Sequence, residues 1–472
     1  MRYSQGGSFR DQMTVLRRQF LQDGGLPFTD ILTEEVIADA LAAVGRWLDR
    51  VFSPVVTLWV FLGQALAADQ SCRAAVARLI AHRVARGLEP CSSETGAYCQ
   101  ARSRLPERFF AAVARLVGRN LDARVDRRWL WKGRRVCLFD GTTVSMPDTP
   151  ANRREYPLAY NQTPGTNFAL ARVGAIISLS CGAILDLGVC RYAGKGQGEV
   201  SLLRTLWGIL RPRDVLLTDR LQANWTNILL LQGRGIDFVG RLNKAHRRAD
   251  FRRGTRLGRD DHLVRWAKPT SIRSVDRPTY NALPDAITVR EVRVRVEQPG
   301  FRTRSVVVVT TLLDPAQASR AELASLYRAR WNNELDLRSI KVVLQMDLLR
   351  CKTPDLVRKE VWAHVLAYNL IRTVMAQAAE GHDVEPRSIS FKATLQVLEA
   401  FRPLIASQGH RGAAHRAALY QQILRAIAVH RVADRPDRFE PRMAKSRPKR
   451  YDRLTRPRQE IKRQMIKGVV KI

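Results

Sequence analysis

Between Asp30 and Arg124 the apolar positions recur with a helical period of roughly 3.6 residues, in EEVIADALAAVGRWLDRVF, VVTLWVFLGQALA, RAAVARLIAHRVARG and ERFFAAVARLVGRNL. No stretch there alternates as a strand does, so an all-α N-terminal region is predicted. The run from Val51 to Ala68 is uncharged for about 18 residues, the lower limit for a membrane span. Ser53, Pro54, Thr57, Gly63 and Gln64 interrupt it, which predicts a buried helix of a soluble domain. The polar segment CSSETGAYCQARSRLP, ahead of the last helix, has two equal readings. Ser93, Tyr98, Gln100 and Arg102 either touch DNA or simply form a loop and a helix start.

The pattern changes at Arg134. RRVCLFD is a short apolar run ending in Asp140, followed by Gly-Thr-Thr and the turn-rich MPDTPAN. ALARVGAIISLSC and GAILDLGVCRYAG are two apolar runs at hairpin distance around Gly182. GEVSLLRTLWGIL predicts a helix, RPRDVLLTD a buried strand ending in Asp219, QANWTNILLLQGRG a helix and IDFVGRLN a strand. This mixed order predicts an α/β region with helices covering a sheet. Residues 244–315 interrupt it. Their segment ITVREVRVRVEQPGFRTRSVVVVTTLL alternates apolar and charged residues around Pro299-Gly300, as a β-hairpin does. The whole interruption is expected to be a β-rich insertion.

From Ser319 to Lys341 the chain reads SRAELASLYRARWNNELDLRSIK. Ser319 with Glu322 three residues on has the spacing of a capping box. At roughly 100° per residue, Tyr327, Arg330, Glu334 and Lys341 share a stripe about 60° wide. Leu326, Leu337, Ile340 and Leu344 make a separate apolar face, and Asp336 points away from the polar stripe, which singles out Glu334 as its acid. Further helices follow Pro354, and a tail from Arg431 carries about fifteen Lys and Arg against about five acids, the composition of a flexible polycation.

Composition sharpens the picture. The 472 residues hold 79 Lys and Arg against 44 Asp and Glu, a net charge of +35. Such an excess points to a polyanionic partner, with nucleic acid the first choice. Seven scattered cysteines form no Cys-x-x-Cys pair, so neither a zinc site nor a disulfide framework is expected, and a reducing cytoplasm fits best. MRYSQGGSFRDQ lacks the apolar core of a signal peptide.

Asp140 and Asp219 end apolar runs, and strand ends are where open α/β sheets place ligands. Converging with Glu334, they would form an oxygen-rich site for Mg²⁺ or Mn²⁺ suited to phosphodiester chemistry. Each aspartate alone is equally well explained as turn or cap chemistry. Asp186 and Asp148 are assigned to such local roles.

The spacing Tyr327-x-x-Arg330-x-x-x-Glu334-x-x-x-x-x-x-Lys341 resembles the YREK signature of IS4-family DDE transposases. FDGTTVSMPDTPANRREYP and LLTDRLQANW resemble that family's blocks around its first and second aspartates, and KTPDLVRKEVWAHVLAYNLIR its segment after the signature. The resemblance covers roughly residues 98–372. It implies an RNase H-like catalytic core interrupted by a β insertion, with Asp140, Asp219 and Glu334 as catalytic, metal-binding triad for Mg²⁺ or Mn²⁺, two ions in all. Tyr327, Arg330 and Lys341 become phosphate contacts, Arg220 either orients Asp219 or contacts phosphate of the DNA, and Trp266 is the insertion's candidate for stacking on a flipped base, with a place in the core as the equal alternative.

The expected layout is a helical, DNA-end-binding region 1–130, core segments 131–243 and 316–375 around an insertion 244–315, and a helical, basic region 376–472. The expected function is cut-and-paste DNA transposition: hydrolysis at terminal inverted repeats and transfer of the 3′-hydroxyl to target DNA by a homodimer, in a prokaryotic cytoplasm at the nucleoid and not at a membrane. The competing readings are a structure-specific nuclease, which cleaves but never joins, and a noncatalytic DNA-binding regulator, which would tolerate Asp140→Asn.

Overall fold

The computed structural model describes residues 8–22, 26–47, 50–160, 162–245, 247–272, 277–295, 305–432 and 453–467. Among the described residues six helices come first: α1 (Phe9–Gln19), α2 (Glu34–Leu41), α3 (Pro54–Leu66), α4 (Cys72–Ala85), α5 (Gly96–Arg104) and α6 (Glu107–Ala123). Ser8, Thr33, Ser53 and Ser71 each cap a helix start by accepting a backbone N–H, which explains why several of these short helices begin where they do. The uncharged run after Val51 is α3, and ten of its residues are buried. No helix among the described residues is long and apolar enough to cross a membrane.

The centre of the molecule is a nine-stranded sheet in the order β3-β2-β1-β4-β5-β9-β8-β7-β6. Its first part comprises β1 (Val136–Met146), then α7 (Pro150–Glu155), β2 (Ala169–Ser178), β3 (Ile184–Arg191), α8 (Glu199–Leu206), β4 (Val215–Thr218), α9 (Trp225–Gln232) and β5 (Asp237–Arg241). β1, β2 and β3 form an antiparallel meander, the turn between the last two passing through Gly182 at φ +80°. β4 and β5 run parallel to β1.

The interruption supplies β6 (Thr255–Gly258), β7 (Asp261–Ala267), α10 (Arg277–Ala282), β8 (Ala286–Arg295) and β9 (Ser305–Thr310). β8 and β9 pair as the expected hairpin, whose tip at Pro299-Gly300 lies outside the described residues. These strands do not make a sheet of their own. β9 pairs antiparallel with β5, Val239 opposite Thr310, so the insertion prolongs the central sheet.

The predicted motif helix is α11 (Arg320–Ala329) and α12 (Trp331–Arg338), followed by a wider π turn over Ser339–Val343. Then come α13 (Pro354–Gly381), α14 (Phe391–Gln408) and α15 (Ala413–Ala428). α13 is 28 residues long and buried along nearly all its length, with α3, α6, α14 and α15 packed around it. The boundary expected after residue 375 therefore falls inside a single helix. The N-terminal helices share one continuous core with the sheet and α13. Gly118 of α6 packs so tightly on β3 that a Cβ there would meet the Ile184 carbonyl oxygen at 2.2 Å. Within the basic tail, α16 (Arg458–Ile466) is helical, where a flexible chain was expected; residues 433–452 of that tail lie outside the described part.

Candidate active site

The two aspartates are delivered by strand register. β1 and β4 run parallel with Phe139 opposite Thr218, and β4 and β5 with Thr218 opposite Gly240. The next residue on each strand falls into one row: Asp140, Asp219, Arg241. Asp219 does stand at a strand end. Asp140 does not, because β1 continues to Met146 along β2; what ends at Asp140 is its pairing with β4. The Asp140 side chain is 20% exposed, and its Oδ1 accepts the Gly141 N–H at 2.8 Å. Burial, with Asp219 close by, pushes its carboxyl up to about 6, against the pull of that N–H and of Arg330. Oδ1 of Asp219 accepts the Leu221 N–H at 2.9 Å, which holds its side chain in the turn after β4.

The third acid arrives on α12. Oγ of Ser319 accepts the Glu322 N–H, and the Glu322 carboxylate accepts the Ser319 N–H at 2.8 Å, so the predicted capping box is present. Lys132 adds an ion pair to Glu322 at 2.7 Å. The helix breaks at Arg330, and this cap residue links the acids. Its Nη2 donates to Glu334 Oε1 at 2.9 Å, and its Nη1 lies 3.9 Å from Asp140 Oδ2. Tyr327 lies beside Arg330 and near Arg241 and Asp219; burial raises its phenol, while the two cations lower it. Nζ of Lys341, swung round by the π turn, donates to Thr142 of β1 at 3.0 Å. The expected apolar face of Leu326, Leu337, Ile340 and Leu344 is buried.

Asp336 is the opposite kind of acid. It is fully buried, bound by Arg387 Nη1 at 2.7 Å and paired with Arg372, and so fastens α12 to α13 and to the segment after it. Asp148 pairs with Arg153 at 3.3 Å, a local contact, whereas Asp186 pairs with Arg115 of α6 at 2.6 Å and so ties β3 to a helix far away in sequence.

Among the described residues no three His, Cys, Asp or Glu side chains gather closely enough to hold a metal ion together. Arg330 stands between Asp140 and Glu334, its charge occupying the space between two acids. The donor set is nonetheless all carboxylate, the chemistry that suits hard divalent cations. An aspartate whose ionisation is resisted by burial and by a second aspartate is one that a cation would stabilise.

Three sequence expectations place differently. Trp266 is 2% exposed, its Nε1 donates to Glu291 at 2.9 Å, and Arg247 covers its ring at 4.6 Å, so it offers no open face for stacking on a base. Tyr98 and Arg102 are buried as well. The Arg102 guanidinium stacks on Tyr98 and Phe61, and Tyr98 donates to Gln64 at 2.7 Å, which makes this pair core structure. Ser93 and Gln100 are exposed, as is Arg220. Two further residues lie next to the candidate acids along strand or helix. Arg241 ends the run IDFVGR just as Asp140 and Asp219 end theirs, and that shared position was the available signal. Trp331, three residues before Glu334, is an aromatic ring left 47% exposed on the motif helix.

Comparison with known proteins identifies the family. Residues 131–370 match the family model described as a transposase DDE domain. Over 351 residues, covering 70% of this chain and 72% of the relative, the sequence is 26% identical to transposase InsG for insertion sequence element IS4 of Escherichia coli strain K12. An 82-residue stretch is 34% identical to the transposase for insertion sequence element IS421 of Escherichia coli, covering 17% of this chain and 21% of that one. A solved synaptic complex of piggyBac transposase with hairpin DNA aligns over 85% of this chain and 84% of its own, at a TM-score of 0.43 and 10% identity. DDE transposases bind DNA, cleave it and transfer the cut strand, using divalent metal ions. With the family domain spanning half its length and Asp140, Asp219 and the signature helix inside it, the chain belongs to the DDE transposase family, in its IS4 branch, and is a DNA transposase.

Proposed function

We propose that this transposase moves its element by cut-and-paste, with Asp140, Asp219 and Glu334 as the acids that hold two Mg²⁺ or Mn²⁺ ions at the scissile phosphodiester. The observation that carries this reading is the row of Asp140 and Asp219 on adjacent parallel strands, with Glu334 tied to Asp140 through Arg330. The order β3-β2-β1-β4-β5, three antiparallel strands followed by two parallel to β1, supports an RNase H-like core. Divalent ions bound at such carboxylates polarise the scissile phosphate and activate the attacking water or 3′-hydroxyl.

The surrounding side chains bind and orient the strand. Arg330, Arg241 and Lys341 supply positive charge along one side of the acids, and Tyr327 packs beside Arg330. These groups hold phosphates in register, and such contacts position a duplex without reading its sequence. With Asp140 and Glu334 holding cations, Arg330 would be released from these acids and could contact the phosphate. Arg220 and the exposed ring of Trp331 extend the contact surface, Trp331 taking the stacking role that Trp266 is too buried to fill. Residues 1–130 are assigned to recognition of the element's ends, residues 244–315 to an extension of the core, and two copies of the chain to pairing of the ends.

The test is Mg²⁺-dependent nicking of the terminal repeat that brackets the gene, by the wild-type chain and by Glu334→Gln. Loss of nicking and of strand transfer in the variant is expected. Equal activity in the two would remove Glu334 from the mechanism.

A further inference from the structure

Asp140 is followed by a glycine, and that glycine is one of three in register. Gly141 of β1 pairs with Gly174 of β2, and Gly174 with Gly188 of β3. The three form a lane without side chains across the sheet, and α8 lies in it. A Cβ on Gly174 or on Gly188 would meet the Leu202 side chain at 2.7 Å. A Cβ on Gly141 would meet the Glu199 side chain, with Cδ at 2.7 Å and Oε1 at 2.8 Å. Glu199 and Leu202, three residues apart, share a helix face. The lane that admits Leu202 over β2 and β3 thus brings the first turn of α8, and the carboxylate of Glu199, onto the backbone of β1 next to Asp140.

The carboxylate is also held from the side. Arg172 of β2 donates from Nη1 to Glu199 Oε1 at 2.9 Å, and from Nη2 to the Tyr192 carbonyl at 3.2 Å, with its guanidinium 5.3 Å from the Tyr192 ring. Glu199 thereby fills the space over Gly141 that a side chain would occupy, and the Gly141 N–H orients the Asp140 carboxylate at 2.8 Å. No local rule of helix stability needs this half-buried acid packed against a strand; an exposed glutamate in the first turn would serve the helix dipole as well.

We propose that Glu199 is a positioning residue of the catalytic centre: clamped by Arg172 and seated on Gly141, it fixes the Asp140 carboxylate and adds negative potential that favours a divalent cation there. The inference rests on the assignment of Asp140 as a metal-binding acid. Groups that orient metal ligands from behind typically change affinity by about 10- to 100-fold when altered.

The experiment uses the full chain without DNA and Mn²⁺ as the probe, free Mn²⁺ being read by electron paramagnetic resonance. Glu199→Gln, close in volume but neutral, should weaken Mn²⁺ binding by about tenfold or more, with an unfolding midpoint near that of the wild type. Gly141→Ala, which leaves the carboxylate in the chain but dislodges it, should produce a loss of the same order. Asp140→Asn should weaken binding further than either. If Asp140→Asn lowers the affinity while both other variants bind Mn²⁺ within twofold of wild type, Glu199 has no positioning role. If Asp140→Asn also binds as wild type does, the assignment of the acid fails and the role of Glu199 fails with it. In nicking assays, the expected signature of Glu199→Gln is a raised Mg²⁺ half-saturation with unchanged affinity for the repeat.

Discussion

Asp140 and Asp219 each lie one residue beyond Phe139 and Thr218, the last matched pair of two parallel strands. Their proximity is therefore a property of backbone register, independent of loop conformation. Asp219→Asn retains an oxygen that can accept the Leu221 N–H. It should keep the turn and the unfolding midpoint while removing the charge. Nicking of the terminal repeat is expected to fall at least about a hundredfold, as when a transition-state contact is deleted. A variant with the wild-type rate would exclude Asp219 from catalysis.

Asp336, two residues after Glu334, should respond in the opposite way. It is fully buried between Arg372 and Arg387, and neutralising it leaves two cations without their shared counter-charge. Removing one partner from a buried ion pair costs about 3–5 kcal/mol. Asp336→Asn should accordingly lower the denaturation midpoint of the whole chain, whereas Glu334→Gln should leave it near wild type. Urea titrations of the two variants separate the structural acid from the catalytic one.

The start of the motif helix is sensitive to acid. The ion pair with Lys132, aided by the Ser319 cap, holds the Glu322 carboxyl down at about 2. An unfolded glutamate titrates near about 4.3. A group lowered on folding stabilises the fold above its unfolded value, and that contribution is lost as pH falls from about 4.3 toward about 2. The wild type should thus be more thermostable than Glu322→Gln at neutral pH, with the gap closing over this window. Melting curves at stepped pH provide the comparison, and a gap that persisted unchanged at pH 2 would contradict it.

Lys341 donates to Thr142 on the strand that carries Asp140. As a phosphate contact it should account for a slope of about −0.9 in the logarithm of affinity against the logarithm of salt. Lys341→Ala should weaken binding to the terminal repeat and flatten that slope by about this amount. An unaltered slope would show that Lys341 touches no phosphate.

What could be read along the chain was local. Ser319 and Glu322 announced a helix start, and the apolar face of Leu326, Leu337, Ile340 and Leu344 is the one that is buried. The break at Arg330 and the π turn at Ser339 escaped notice, because each depends on a few backbone hydrogen bonds that residue preferences do not encode. The apolar run stops at Asp140 and so suggests a strand end there; β1 goes on because β2 supplies partners far away in sequence. The burial of Tyr98 and Arg102 was hidden for the same reason, whereas a place in the core was one of the two readings open for Trp266. Polar tips on these side chains suggest surface, yet inside the fold Glu291 accepts from Trp266, Gln64 from Tyr98, and the Cys72 and Cys99 sulfurs from Arg102.

The pairing of Val239 with Thr310 has a consequence for how such a protein can be remodelled. An excisable cassette would sit on its host by loops alone, but here β9 occupies the hydrogen-bonding flank of β5. Cutting out residues 255–310 would strip that flank bare, and an unprotected strand edge recruits other chains. Shortened enzymes built from this scaffold would then be expected to precipitate before losing their chemistry, unless a replacement strand or a proline-bearing cover is grafted along β5.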